Sequence, residues 1–412
     1  MLTPFPGRHF GWRFAVAFLL LSALALSACN SVSIPGLSTG RQPAPPAPVP
    51  QATQPPAAVT QVATPSGPGT GKLRVALLLP LTGSNAGLGN AMLDAAQMAL
   101  FDIADDKLEL APHDTQGTAQ GAAGAAQAAL AEGAKLIIGP LIAAEVEAVK
   151  PVARAANVPV LAFSTATQLA GDGTYLLGFL PRQEIERVIA YAKAKGLNRF
   201  AVLAPRTPYG EIAVEAARAA TQADNASLAR VDYYDPSAAD LTPMAKRFAA
   251  AGQDYDALIL PEGGARLRTL APLLPYYDVD PDKIRFVGTG LWDEPGLGSE
   301  PALDNGWYAA PPPAARAEFD KRFQDLYRHP APRLATLAYD ATALAAVLAH
   351  GENGGDFSAA ALTNPSGFAG VDGIFRLLPD GLVQRGLAVL EVHREGNKVI
   401  DQAPETFQAL SN

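Results

Sequence analysis

From residue 72 onward, short apolar runs alternate with longer stretches whose apolar residues recur at helical spacing. The run Val75–Leu79 is apolar at every position, which is typical of a parallel strand covered by helices on both faces. Residues 90–103 carry their apolar side chains on one face and predict a helix, as do residues 240–251 with Asp240 at the N-cap. The predicted strands are 73–79, 108–113, 135–138, 159–163, 200–204, 228–234, 257–260 and 284–287.

The last part of the chain has a different pattern, in which apolar runs are separated by turn sequences. The runs at 370–377, 386–393 and 399–400 are divided by Asp380-Gly381 and by Glu395-Gly396-Asn397, which predicts an antiparallel meander. The alternating strands and helices before it predict an α/β fold. The stretch after residue 72 is too long for one doubly wound sheet of this strand count, so we expect two Rossmann-like lobes.

The N-terminus looks like a lipoprotein signal peptide. Basic residues precede an apolar run at 14–26, which is short for a membrane span but suits a secretory signal. The run ends in Leu26-Ser27-Ala28-Cys29, which resembles a bacterial lipobox, and Cys29 is the single cysteine of the chain. We therefore expect residues 1–28 to be removed and Cys29 to carry the lipid. The alternative is an ordinary signal peptide in which this cysteine falls by chance.

The segment that follows has the composition of a tether. Residues 29–71 contain ten prolines and, with Arg41, a single charged residue. Such a stretch cannot bury enough apolar surface to offset its ordering entropy, so we expect disorder with polyproline II character. The tether would hold the globular part, residues 72–412, away from the membrane.

Composition and charge exclude several classes of protein. The 412 residues carry a net charge of −8, which argues against nucleic acid as a partner. One cysteine and five scattered histidines provide no metal-ligand spacing. No nucleophile elbow and no phosphate loop is present, so the sequence predicts neither an enzyme nor a cofactor.

Three stretches together resemble the type I periplasmic-binding fold, in particular its leucine/isoleucine/valine-binding branch. They are LRVALLLPLTGSNAGLGNAMLDAAQMALFDI at 73–103, AKLIIGPLIAAEVEAVKPVARAANVPVLAFSTAT at 134–167 and FAGVDGIFRLLPDGLVQRGLAVLEVH at 368–393. The resemblance implies two lobes joined by three crossings. The first lobe would comprise about 72–182 and 306–369, and the second about 183–305 and 370–412.

The resemblance also implies a ligand site between the lobes. Family members that bind amino acids hold the carboxylate with hydroxyls and backbone N–H groups, and close the cleft with an aromatic side chain. Ser164, Thr165 and Thr167 would supply hydroxyls, Tyr209 the aromatic ring and Glu262 an acid at the cleft edge. In the structural alternatives, Ser164 and Thr165 cap a helix, Tyr209 packs on the surface and Glu262 is solvated.

Several positions depart from the family pattern. Leu88 replaces a ligand-stacking aromatic, Ala143 replaces a hydroxyl, and Gly290 stands where the family has the acid that binds an ammonium group. Asp293 and Glu294 are displaced from that position, and solvation is their alternative role. These departures put a free amino acid in doubt as the ligand.

Two functions are consistent with these features. The first is a lipid-anchored periplasmic receptor of a Gram-negative bacterium that binds a small polar, amino-acid-like ligand and delivers it to an ABC permease. The second is a penicillin-binding-protein activator, an outer-membrane lipoprotein that regulates a peptidoglycan synthase through protein contacts. KLRVALLLPLTG and IIGPL look closer to the activator group, and the long tether favours it. Activators of enteric bacteria carry a helical-repeat domain ahead of this fold, and residues 30–71 contain none. The sequence distinguishes neither the ligand nor the membrane, inner or outer.

Overall fold

The structure is a computed structural model and describes residues 71–103, 106–350 and 355–407. The predicted signal peptide, the lipid attachment at Cys29 and the tether up to residue 70 lie outside the described residues.

One parallel sheet, one larger and mostly parallel sheet and one small antiparallel sheet carry the strands. The strands are β1 (Leu73–Leu79), β2 (Leu108–Asp114), β3 (Leu136–Ile138), β4 (Val160–Ala162), β5 (Thr174–Leu176), β6 (Arg199–Pro205), β7 (Ser227–Tyr234), β8 (Ala257–Ile259), β9 (Arg285–Gly288), β10 (Trp307–Ala310), β11 (Phe368–Gly370), β12 (Gly373–Leu377), β13 (Val383–Arg385), β14 (Ala388–Glu391) and β15 (Lys398–Asp401). All eight strands predicted from the sequence are present, with ends that differ by at most one residue.

The helices cover the faces of the two large sheets. They are α1 (Ala86–Ile103), α2 (Ala119–Ala131), α3 (Ala143–Ala155), α4 (Pro181–Ala194), α5 (Pro208–Ala223), α6 (Thr242–Ala250), α7 (Gly264–Leu270), α8 (Leu273–Tyr276), α9 (Pro313–Tyr327), α10 (Ala335–Ala349) and α11 (Ala359–Leu362). Both predicted helices are present as α1 and α6. The N-cap of α6 is Leu241, one residue after the predicted Asp240. The Asp240 side chain still accepts the N–H of Thr242, at 2.8 Å.

The first lobe is built on the five-stranded parallel sheet β2-β1-β3-β4-β5. Alternate residues of β1 enter different cores. Leu77 packs with side chains of α1 and α10 on one face, and Leu78 packs with side chains of α2 and α3 on the other. Both leucines are fully buried, and burial of each contributes about 2 kcal/mol relative to exposure. The doubly apolar pattern of β1 is thus explained by helices on both faces.

The second lobe is built on the seven-stranded sheet β15-β14-β10-β9-β8-β6-β7. The strands β6 to β10 are parallel, whereas β14 runs antiparallel to β10 and β15 antiparallel to β14. The face toward α4 and α5 contains Phe200 and Val202, and the opposite face contains Leu203 and Trp292. The Trp292 ring is fully buried and donates its Nε1–H to the carbonyl of Leu260 at 3.3 Å.

The chain crosses between the lobes three times, but two of the boundaries predicted from the sequence were wrong. Trp307–Ala310 was assigned to the first lobe and is β10 of the second sheet. Residues 370–387 were assigned to the second lobe, yet β12 and β13 pack in the core of the first. The crossings therefore follow β5, β10 and β13. The run of prolines that begins at Pro311 ends β10 just before the second crossing.

The predicted C-terminal meander is divided between the lobes. β11, β12 and β13 form a three-stranded antiparallel sheet, whereas β14 and β15 extend the second parallel sheet. Only Gly386 and Leu387 separate β13 from β14. The side chain of Gln183 in α4 binds both the Val383 carbonyl and the Arg385 N–H, the latter at 3.0 Å. The first and third crossings are thereby tied together.

Two glycines of α2 provide a matched test of the packing of this helix on β2. A Cβ atom at Gly121 would lie 2.2 Å from the Thr115 carbonyl oxygen, whereas one at Gly124 would meet no atom within 4 Å. We expect Gly121→Ala to lower the free energy of unfolding by about 1 to 3 kcal/mol through overpacking. Gly124→Ala should raise it by about 0.5 to 1 kcal/mol through helix propensity. Urea unfolding measures both, and equal effects would contradict this packing.

Candidate functional site

A cavity of about 890 Å³ lies between the two lobes at the edge where their parallel strands end. Such crevices at the carboxyl ends of parallel strands are where open α/β sheets bind ligands. Apolar side chains predominate in its wall. The lining residues are Leu141, Ala143, Phe163, Ser164, Thr165, Ala166, Gln168, Phe179, Glu184, Pro208, Tyr209, Glu211, Ile212, Gly290, Leu291, Asp293, Glu294, Pro311, Arg333 and Leu334.

The turn from β3 into α3 forms one part of the first-lobe wall. Gly139 has a φ of +91°, and a Cβ atom there would lie 2.1 Å from the Leu78 carbonyl oxygen, so the turn requires glycine. Leu141 and Ala143 reach the cavity and bring no hydroxyl. The buried Glu145 side chain caps α3 through the Ile142 N–H at 3.3 Å. Burial raises the pKa of this carboxyl group.

The segment after β4 supplies the hydroxyls of the first lobe. Ser164 and Thr165, two of the predicted ligand-binding residues, line the cavity. The Ser164 Oγ atom also accepts the N–H of Ala166 at 3.1 Å, so it caps the following turn at the same time. Thr167 begins the short 3₁₀ helix Thr167–Leu169 and does not belong to the cavity wall, but Gln168 does.

The start of α5 brings Tyr209 to the second-lobe wall. Thr207 caps this helix by accepting the N–H of Gly210 at 3.1 Å. The Tyr209 hydroxyl donates to Thr289 Oγ1 at 2.9 Å, and burial raises its pKa. Glu262 lies outside the cavity wall, where its carboxylate accepts hydrogen bonds from the Tyr234 hydroxyl and from the Gly263 N–H at 3.1 Å.

Glu184 is a lining residue that the sequence did not reveal. It lies in the first turn of α4 and is 3% exposed. One carboxylate oxygen, Oε2, accepts the N–H of Gly290 at 2.8 Å. Burial raises the pKa of Glu184 to about 7, opposed by the Gly290 N–H and by the charges of Arg333 and Arg385 and reinforced by Asp293.

Arg333 joins the two lobes across the cavity. Its Nε atom lies 3.1 Å from Asp293 Oδ2 in the second lobe, and its Nη1 atom lies 2.9 Å from Asp372 Oδ1 in the first. The guanidinium carbon lies 4.0 Å from the centre of the Phe179 ring at the first crossing. Arg316 approaches the same Asp293 oxygen at 3.8 Å. Asp293 is therefore an interlobe ion-pair partner rather than a solvated loop residue.

The charged residues of the wall leave an excess of negative charge. Four carboxylates line the cavity against one arginine. Asp293 is paired with arginines, and Glu294 lies 2.9 Å from Arg268. Among the described residues, no ion pair within 4.0 Å involves Glu184 or Glu211.

The described residues show neither a metal centre nor a membrane span. In them, no three His, Cys, Asp or Glu side chains are grouped so that they could hold a metal ion. No helix of the described ranges combines the length and the apolarity needed to cross a membrane.

Residues 72–397 match the model of the periplasmic binding protein family, so the chain belongs to this family. Membership implies a periplasmic location. The fold is similar to that of an ABC transporter substrate-binding protein from Sphaerobacter thermophilus, with a TM-score of 0.70 at 19% identity over 81% of this chain and 98% of that chain. It is also similar to a leucine-binding protein from Thermotoga maritima, with a TM-score of 0.60 at 17% identity over 80% and 98% of the two chains.

Two curated relatives are matched only in part. An uncharacterized protein from Rickettsia prowazekii is 23% identical over 220 residues, which cover 53% of this chain and 56% of that protein. The penicillin-binding protein activator LpoA of Photobacterium profundum is 33% identical over 141 residues, 33% of this chain and 22% of that protein. The chain thus spans about half the length of one relative and about a fifth of the other.

The raised pKa of Glu184 predicts a pH-dependent contribution to stability. Between the ordinary pKa of 4.5 and about 7, the folded chain keeps the Glu184 proton while the unfolded chain loses it. Stability therefore falls as pH rises through this range, by about 2 to 3 kcal/mol. Glu184→Gln removes this loss, so we expect its melting temperature, relative to that of the wild type, to rise between pH 5 and pH 8.

Differential scanning calorimetry at both pH values provides the test. Asp340, whose pKa is also raised by burial, is present in both chains and cancels from the difference. Glu211→Gln is the matched control, because this carboxylate lines the same cavity but is exposed. The melting-temperature difference from the wild type should change more between pH 5 and pH 8 for Glu184→Gln than for this control, because Glu184 is the buried carboxyl group. If the melting-temperature difference between Glu184→Gln and the wild type does not change with pH, the Glu184 side chain is solvated.

Proposed function

We propose that this protein is a lipid-anchored, non-catalytic solute-binding protein that holds a small ligand between its lobes and presents it to an ABC permease. The observation that carries the proposal is the cavity between the lobes, with hydroxyls from one wall and an aromatic side chain and a carboxylate from the other. A ligand that contacts both walls stabilises one arrangement of the two lobes. A transport partner can recognise that arrangement.

The wall chemistry indicates the kind of ligand. Leu141, Phe163 and Ile212 offer an apolar surface, and Thr165 and Tyr209 offer hydrogen bonds at defined points. A few polar groups in a largely apolar wall are typical of sites for small organic molecules. We therefore propose a ligand with an apolar body and at least one polar end, of about the size of an amino acid or larger.

Thr165→Val tests the ligand site. In a thermal-shift screen of small amines, acids and amino acids, a ligand at a hundredfold excess over its Kd stabilises the fold by about 2.7 kcal/mol. For a unit of this size we expect a rise of at least about 2 °C. Thr165→Val should reduce the rise at least by half, because it keeps the side-chain shape and removes the hydroxyl.

Glu262→Gln is the matched control of this screen. Its side chain follows β8 at the same sheet edge, but it lies outside the cavity wall and binds Tyr234. The ligand-induced rise should survive this change. If Glu262→Gln abolishes the ligand-induced rise in melting temperature and Thr165→Val preserves it, the ligand binds outside this cavity. If no compound raises the melting temperature, the proposed receptor function is wrong.

Membrane attachment is proposed through a lipid on Cys29. We expect Cys29→Ala to shift the protein from the detergent phase to the aqueous phase in detergent phase partitioning, because the thiol is the atom that accepts the lipid. Cys29→Ser removes the same thiol and should behave identically. Continued partitioning of both variants into detergent, with residues 1–28 removed, would exclude the anchor.

An activator of peptidoglycan synthases is the second candidate function. It is favoured by the 33% identity over 141 residues to LpoA of Photobacterium profundum. In this case no small molecule should raise the melting temperature, and the chain should raise the activity of a purified synthase in a polymerisation assay. Stimulation that persists in Thr165→Val would support an outer surface as the contact.

A further inference from the structure

Glu184 fills the space in which a side chain at position 290 would lie. A Cβ atom at Gly290 would be 2.4 Å from Glu184 Oε1, and the Gly290 N–H donates to Glu184 Oε2. The acidic group of this part of the wall is thus supplied from α4, 106 residues away in the sequence. Among the described residues, Oε1 has no hydrogen-bond partner, although the residue is 3% exposed and lines the cavity.

Apart from Arg333, the cavity wall formed by the described residues has no cationic side chain that could bind a ligand carboxylate. At the start of α3, the Glu145 carboxylate accepts the Ile142 N–H, and Ala143 brings no hydroxyl. A ligand anion at that helix end would lie near a buried acid, which costs electrostatic energy in a low-dielectric wall. The Ser164 oxygen accepts the Ala166 N–H, and its O–H remains a neutral donor.

The one arginine of the wall is committed to protein carboxylates. Arg333 contacts Asp293 and Asp372 at 3.1 and 2.9 Å and lies over the Phe179 ring. A ligand carboxylate would compete with two acids that already neutralise the guanidinium. A ligand cation meets weaker competition at Glu184, because Arg333 and Arg385 act on this carboxylate only through their charges and no cationic side chain lies within 4.0 Å of it in the described part of the chain.

We propose that the cavity binds an organic cation, a protonated amine on an apolar alkyl or aryl body without a carboxylate, and that Glu184 accepts the ammonium group. This inference rests on the proposed receptor function and specifies its ligand class. The free Oε1 atom accepts one ammonium N–H, while the apolar residues of both walls cover the body of the ligand. We expect an amino acid of the same body to bind more weakly, because its carboxylate adds an anion to a wall in which four carboxylates face one arginine.

Matched ligands with the same body test the proposal. Calorimetric titrations of the full chain in detergent at pH 8 compare 2-phenylethylamine, L-phenylalanine and 3-phenylpropionate. The series 3-methylbutylamine, L-leucine and 4-methylpentanoate repeats the comparison with an alkyl body. We expect the amine of at least one series to bind at least tenfold more tightly than the amino acid and the acid.

Variants identify the group that carries the preference. Glu184→Gln should weaken amine binding at least tenfold, because the amide keeps the shape of the side chain and loses its charge. Glu262→Gln changes a carboxylate at the same sheet edge but outside the cavity wall, and it should change binding less than threefold. If Glu184→Gln does not fold, 2-phenylethanol replaces the amine in titrations of the wild type. A tenfold preference for the amine then supports the proposal, and equal affinities overturn it.

The outcomes separate this inference from the proposed function. If an amino acid, a carboxylate or a neutral compound binds more tightly than every amine, the receptor function stands and the cation preference falls. Amine binding that Glu184→Gln leaves unchanged also overturns the inference. If no compound of these series or of the wider thermal-shift screen binds, both proposals fall.

Discussion

The position of Asp293 between Arg333 and Arg316 is the constraint on which the arrangement of the lobes depends. The carboxylate belongs to the second lobe, and both guanidinium groups are held by the first. These side chains are at most 23% exposed, so the ion pairs are screened less than surface pairs. Within the second lobe, Arg187 of α4 donates to the Leu387 carbonyl at 3.0 Å and contacts Asp401 at 2.6 Å, which holds the chain after the third crossing against the chain after the first. The ion pairs of Asp293 are therefore the ones that join the two lobes at the cavity.

Local pattern was sufficient for the long parallel strands and insufficient for the short ones. β1 and β6 are seven residues each and mostly buried, so their apolar runs are unmistakable. β5 is three residues long, and β10 contains Trp307 and Tyr308 just ahead of the run of prolines, so neither gives a distinct periodic signal. The assignment of β12 and β13 to the first lobe depends on contacts with β5 and α10, which no pattern within the tail expresses.

The candidate site also contains residues that local pattern could predict and residues that it could not. Ser164, Thr165 and Tyr209 follow directly after strands, so their place at the sheet edge could be predicted from their position in the chain. Glu184 and Arg333 reach the cavity through partners that are distant in sequence, and no local motif marks them. The glycine at position 290 was noticed as a missing acid. That another acid occupies the space could be recognised only from the folded chain.

The interleaving of the chain between the lobes also determines when each lobe can form. The first lobe needs α9, α10 and the sheet β11 to β13, and the second needs β14 and β15 to cover the edge of β10. A chain that emerges from N- to C-terminus therefore cannot complete the first lobe before residue 385 or the second before residue 401, and until β14 pairs it exposes the edge of β10 to other chains. A truncation that removes β14 and β15 would leave the edge of β10 permanently unpaired.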